Sequence, residues 1–261
     1  MKILLLKLSG KVMDDLFVND FQIEIIKELK NSYDAVIIVH GGGIRITQWS
    51  EKLGIKTKFW NGHRITDSST MEVVVAVQAG LINGKLVSRL QTNHINSIGL
   101  TGIDNGLFSA EYLNEELGFV GIPVFKGKKD WLISILKDGI VPVFSSVCQD
   151  NKGNLMNVNS DLFTKELAIA IQADTVIYLS DIEGVKINGF IQSHLTGTDI
   201  KTGFDNKQIT DGMIPKLESC LDLLKAGINK VWIGNDLSAF NDSLETKLKG
   251  TWIVNSEAVE I

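Results

Sequence analysis

Two stretches of this sequence leave little freedom in what the chain can become. Ala35-Val36-Ile37-Ile38-Val39 is wholly apolar, and Ile3 to Leu8 is apolar but for Lys7. Short apolar runs of this kind read as strands buried on both faces, and a sheet covered on both faces is a parallel one whose crossovers are helices. The intervening residues agree, because Asp20 to Leu29 and Ile44 to Leu53 are amphipathic at helical spacing. The rhythm resumes with strands from Ser97 to Leu100, Val141 to Ser145, Thr175 to Leu179, Lys230 to Ile233 and Thr251 to Val254. Helices fall between them from Leu162 to Ile171 and from Ile214 to Leu224. This order predicts an α/β fold, a three-layer αβα sandwich around a central, mostly parallel sheet. No Pro- or Gly-rich linker divides the chain, so the boundary between two lobes is placed by element order, near Asp174.

Composition narrows the function. A net charge of −5 argues against a general polyanion-binding surface and so against a nucleic-acid partner. Cys148 and Cys220 are far apart and lack metal-ligand spacing, which predicts two buried thiols rather than a disulfide or a zinc site. The apolar run at the N-terminus is too short for a signal or a membrane span and is broken by Lys7, so the expected location is the cytoplasm.

Ligands of open α/β sheets bind beyond the carboxyl ends of strands, and two small-residue motifs sit there: Lys7-Leu8-Ser9-Gly10 and His40-Gly41-Gly42-Gly43. Glycines let an anion approach backbone N–H groups, and a following helix N-terminus favours negative charge. A tight turn with no ligand accounts for the glycine triplet equally well. Neither stretch is a P-loop or a G-x-G-x-x-G fingerprint. Thr57 to Asp67 reads as a hairpin about Asn61-Gly62, followed by a helix capped by Asp67 or Ser68 and running through Met71, Val74, Val75 and Val77 toward Gly80. In Asn157-Val158-Asn159-Ser160-Asp161, Asn159 or Asp161 serves as a helix cap, and three amide or carboxylate side chains exceed what one cap needs. In Thr210-Asp211-Gly212-Met213-Ile214-Pro215-Lys216, Pro215 suits a first helical turn. Lys216 then lies at a helix N-terminus, unfavourable for a cation unless an anion is close.

Taken in order, these motifs resemble the amino-acid kinase family and, within it, the branch acting on acylated glutamate. The likeness extends over Lys7 to Gly10, His40 to Gly43, Asn61 to Asp67, Leu113 to Gly121, Leu155 to Asp161, Leu179 to Val185 and Ile209 to Lys216. It implies ATP-dependent phosphorylation of the side-chain carboxylate of N-acetyl-L-glutamate in arginine biosynthesis, with Mg2+ carried by the nucleotide phosphates and no protein metal ligand. Residues 1–174 form the acylglutamate-binding and dimerisation lobe, and residues 175–261 the ATP-binding lobe. By the same resemblance, Lys7, Lys216 and Asp161 are catalytic. Gly42, Gly43, Arg64, Asn157 and Asn159 hold the substrate, and Gly10, Gly42 and Gly43 take phosphate. Asp181, Ile182, Glu183, Gly184, Val185, Ile209 and Thr210 hold ATP; contact of His40 and His63 with ligands is left open. Arginine-inhibited members carry an extra helix ahead of the lysine motif; six residues precede Lys7 here, so the resemblance implies a homodimer insensitive to arginine.

Two departures stand out. Ser9 occupies a position usually glycine in this branch, a form similar to uridylate kinases, and Asn83-Gly84-Lys85 replaces an adjacent Asn-Lys. A succinylated substrate, a uridylate or aminoadipate-type kinase, and an effector-binding protein without turnover remain alternative readings.

Overall fold

The computed structural model describes residues 1–209, 213–240 and 250–255. Its contacts divide the chain into two units, one formed by residues 1–36 with 171–261, the other by residues 37–170. Two crossings of the chain therefore separate the units, where the sequence suggested a single boundary near Asp174. The cause is the first strand: its pairing partner lies in the last third of the chain.

In the discontinuous unit, Ile3–Leu8 lies parallel to Thr175–Leu179, with Leu4 opposite Thr175 and Leu8 opposite Leu179. Thr175–Leu179 in turn runs parallel to Lys230–Gly234. Thr251–Val254 adds antiparallel to that strand, and His194–Thr196 closes the row in parallel. Helices Asp20–Ser32, Gly197–Asp205 and Ile214–Lys225 belong to the same unit. Asn19 caps the first by accepting from the Phe21 N–H, and Thr196 and Asp199 form a reciprocal capping box on the second. Every residue of Ile3–Leu8 and Thr175–Leu179 is buried, as the apolar runs require.

In the continuous unit, the parallel strands Ala35–His40, Val141–Ser145 and Ser97–Thr101 lie side by side in that order. Val36, Ile37, Ile38 and Val39 are each at most 1% exposed. At about 1.5–3 kcal/mol per fully buried aliphatic side chain, that strand alone removes any alternative surface placement. A second sheet orders Phe108–Tyr112, Val120–Phe125, Leu155–Val158 and Val147–Gln149. The fold is thus α/β with mostly parallel strands, as the sequence rhythm predicts.

The hairpin forms as expected, with Phe59 opposite Arg64 and Trp60 opposite His63. Asn61 and Gly62 take φ of 47° and 80°, the left-handed pair that a two-residue hairpin turn demands. The Asp67 carboxylate accepts from the Thr70 N–H and starts a helix that does not stop near Gly80. It continues as one rod, Ser68–Thr92, whose central stretch Val75–Ile82 is wound wider than an α-helix. The rod is long and apolar enough to cross a membrane. It is instead built into this unit, since its buried face carries Gln78 and Asn83, hydrogen-bonded to His40, Ser146 and Val143.

Candidate active site

The continuous unit contains a cavity of about 220 Å³. Gly41, Gly42 and Gly43 form one wall, the hairpin supplies Phe59, His63 and Arg64, and Asn157 to Asp161 close the far side. Two neighbouring motifs and a third far along the sequence thereby meet. Gly42 has no room for a side chain: a β-carbon there would sit 3.0 Å from Ile82 Cδ1 and 3.4 Å from Gln78 Cγ. Gly43 opens the helix Gly43–Lys52, and a β-carbon there would meet nothing within 4 Å.

Arg64 is buried and held in place before any ligand arrives. Its Nη2 donates to the Gly43 carbonyl at 2.9 Å and to Thr47 Oγ1 at 2.8 Å, and its Nη1 donates to Thr57 Oγ1 at 3.3 Å. The guanidinium stacks 4.8 Å from the Phe59 ring. Burial pulls its pKa below the ordinary arginine range. The contacts use both N–H groups of Nη2 and one of Nη1, leaving one on Nη1 and the Nε–H; these lie on different edges of the guanidinium, so each can meet a carboxylate through a single charge-assisted hydrogen bond.

Asn157 Nδ2 donates to Thr66 Oγ1 at 3.1 Å, tying the strand Leu155–Val158 to the end of the hairpin. Asn159 resolves the capping question, because its side-chain oxygen accepts from the Asp161 N–H at 2.7 Å and caps the helix Ser160–Ile171. Asp161 sits in the first turn of that helix and lines the cavity. The Leu113 to Gly121 segment supports the same wall from outside. Gly118 adopts φ of 70° and approaches the Thr66 carbonyl so closely that a β-carbon would lie 2.4 Å from it.

The remaining candidates lie in the discontinuous unit. Lys7 is buried and donates to Ser9 Oγ at 2.7 Å, so the unusual serine gives the ammonium a hydroxyl partner that glycine lacks. Gly10 opens the short helix Gly10–Leu16. Lys216 projects over the Tyr178 ring at 5.0 Å; an aromatic face is one compensation for a cation near a helix N-terminus. Asp181, Ile182, Glu183, Gly184 and Ile209 line one cavity of about 380 Å³ together with Lys186 and Met213. Val185 is not part of that lining: its side chain is fully buried and its N–H donates to Thr251 Oγ1 at 2.8 Å. Thr210 lies outside the described residues, as do Asp211 and Gly212.

Of the two histidines whose contact with ligands the sequence leaves open, His63 lines the glycine-walled cavity and His40 does not. His40 is fully buried, and desolvation pushes its pKa down to about 4. Sequence reasoning overlooked Gln78 and Ser146, which reach the cavity floor. The available signal was a lone glutamine inside the apolar run Val73 to Ile82.

Comparison with known proteins adds the following. A family model described as "Amino acid kinase family" matches residues 2–235. A protein named acetylglutamate kinase from Endomicrobium trichonymphae is 38% identical over 221 residues, spanning 84% of this chain and 85% of the relative. Another of the same name, from Clostridium acetobutylicum, is 35% identical over 257 residues, 93% of this chain and 87% of the relative. The crystal structure of smu.665 from Streptococcus mutans UA159 superposes with a TM-score of 0.82 at 28% identity, covering 97% of this chain and 98% of that one.

Proposed function

The chain belongs to the amino acid kinase family, and from that premise we propose that it transfers the γ-phosphoryl group of MgATP to the side-chain carboxylate of N-acetyl-L-glutamate, a step of arginine biosynthesis carried out in the cytoplasm. The observation that carries this reading is the cavity in which the buried Arg64, its guanidinium prepositioned and still able to donate to a carboxylate, stands beside Gly42, Gly43 and Asn157. The relatives named acetylglutamate kinase support the same substrate.

In this reading the acylglutamate belongs to the unit of residues 37–170, and ATP to the unit that includes residues 171–261. Arg64 fixes a carboxylate that does not react, and Asn157 and Asn159 border the rest of the molecule. The attacking carboxylate is already ionised at neutral pH, so no base is needed, and catalysis consists of alignment and charge compensation. Glycine N–H groups at Gly42 and Gly43 receive the transferred phosphoryl oxygens, with Gly10 a further phosphate contact. Lys7 and Lys216 offset the charge that spreads over the phosphoryl group, and Asp161 is the third catalytic residue of this reading. Asp181 to Gly184, Ile209 and Thr210 hold the nucleotide, with Mg2+ on its phosphates.

A homodimer accompanies this reading. Its support is an apolar groove of about 510 Å³ beside the long helix, bordered by Met71, Val75, Ala76, Phe119 and Leu155. ADP release measured with N-acetyl-L-glutamate, N-succinyl-L-glutamate, 2-aminoadipate and UMP tests the proposal. Preference for N-acetyl-L-glutamate in kcat/KM is the expected result; preference for any of the others, or turnover with none, overturns it.

A further inference from the structure

Gln78 and Asn83 are five positions apart on one helix, yet both reach His40. At 3.6 residues per turn such a pair would point about 140° apart. The stretch Val75–Ile82 is wound in i to i+5 register, which brings the fifth residue nearly above the first. The wider turn therefore puts both amides on one face, and both are almost fully buried. Gly99 makes space for this arrangement, since a β-carbon there would overlap Asn83 Oδ1.

The hydrogen bonds then fix one another in sequence. Asn83 Nδ2 donates to the Val143 carbonyl at 2.8 Å, which settles the orientation of the amide. The same Nδ2 lies 3.1 Å from His40 Nε2, so that ring nitrogen is the acceptor and the proton sits on Nδ1. His40 Nδ1 in turn donates to the Gly41 carbonyl at 2.9 Å. In a planar trans peptide the C=O and the following N–H point in opposite directions, so anchoring the Gly41 carbonyl on the ring aims the Gly42 N–H away from it. Gln78 works on both sides of the cavity floor. Its Nε2 donates to Ser146 Oγ at 2.9 Å, and that hydroxyl donates at 2.7 Å to the carbonyl of Val158, the residue between Asn157 and Asn159.

We propose that Asn83 and Gln78 are positioning residues for phosphoryl transfer, with Asn83 selecting the His40 tautomer that orients the Gly41–Gly43 turn and Gln78 tying that turn to the Asn157 strand. The proposal rests on the kinase reading for its catalytic consequence and on the geometry alone for the tautomer. Imidazole nitrogen shifts of isotope-labelled protein test the second part directly, because the chain has only four histidines to assign. In the wild type, His40 should show a protonated Nδ1 and an unprotonated Nε2 throughout about pH 5.5 to 8. An Nε2–H tautomer or an imidazolium in that range overturns the proposal, whether or not any variant folds. In Asn83→Leu the single tautomer should be lost, and kcat should fall about 10²-fold while KM for N-acetyl-L-glutamate changes by less than about threefold. Loss of the tautomer with unchanged kcat, or a rise confined to KM, also overturns it. A wild type that turns over no acylglutamate refutes the functional reading instead, and the nitrogen shifts still decide the tautomer.

Discussion

Arg64→Ala is the sharpest perturbation of the proposed substrate site, because the structure specifies what the side chain gives up. Three of its N–H groups hold Gly43, Thr47 and Thr57, and of the other two, which face different edges of the guanidinium, one is assigned to the substrate carboxylate. Hydrogen bonds to charged groups contribute about 1.5–3 kcal/mol each. For a single bond between two charged groups the upper figure, about 3 kcal/mol, corresponds to roughly 10²-fold in KM for N-acetyl-L-glutamate. KM for ATP should change by less than about twofold, since uniform binding of one substrate is lost. Arg64→Lys keeps the charge and a single donor for Gly43 but loses the planar fork, so its KM should rise only about tenfold. A coupled ADP-release assay, with each substrate varied at saturation of the other, separates these effects. Equal rises in both KM values, or a fall in kcat with both KM values unchanged, would refute the assignment of Arg64 to the acylglutamate carboxylate.

Lys7→Ala and Lys216→Ala should each lower kcat by at least about 10²-fold with smaller changes in KM, as expected for charges acting on the transition state; steady-state kinetics showing only weakened substrate affinity would count against both roles. Burial holds the His40 pKa near 4, so below the ordinary value of 6.5 the unfolded chain binds a proton that the native protein refuses. The corresponding stability is complete above pH 6.5 and is lost as pH falls toward 4, so urea midpoints should drop across that window more steeply in the wild type than in His40→Asn. Cys148 and Cys220 are buried thiols outside any disulfide, and desolvation raises the Cys148 pKa, so a thiol reagent at neutral pH should titrate neither until denaturant is added; rapid labelling of the native protein would contradict their placement.

The strands were legible because burial on both faces leaves a signature that needs no partner: Ala35–His40 and Thr175–Leu179 are apolar whatever lies beside them. The hairpin was legible for a local reason, the Asn61-Gly62 pair, and so was the Asp67 cap. Position along the strand edge also gave the glycine turn and the Asn157 cluster, although only the structure shows that Asn159 is the cap and Asn157 the bridge to Thr66. The course of the helix beyond Gly80 was not legible. A glycine in an apolar run resembles a helix end, and what carries the chain through it is tertiary: Gln78 and Asn83 are paid in hydrogen bonds by strands far away in sequence. The division of the chain was hidden for the same reason. Nothing in Ile3 to Leu8 announces that Thr175 to Leu179, 171 positions later, pairs along one of its edges.

That pairing has a consequence for how the protein is made. The Ile3 N–H is bonded to the Asp174 carboxylate, 171 positions further on, so one edge of Ile3–Leu8 waits for a partner that is made much later. At about 5–20 residues per second the wait is on the order of ten seconds. Meanwhile residues 37–170, being contiguous, can assemble as they emerge. During the delay a six-residue apolar segment, with Lys7 its only charge, has one unpaired backbone edge and the composition that nascent chains aggregate through. The buried lysine assigned to catalysis is therefore also a gatekeeper in the unfinished chain, and Lys7→Ala or Lys7→Met should lower the soluble yield in cells as well as the turnover of whatever folds.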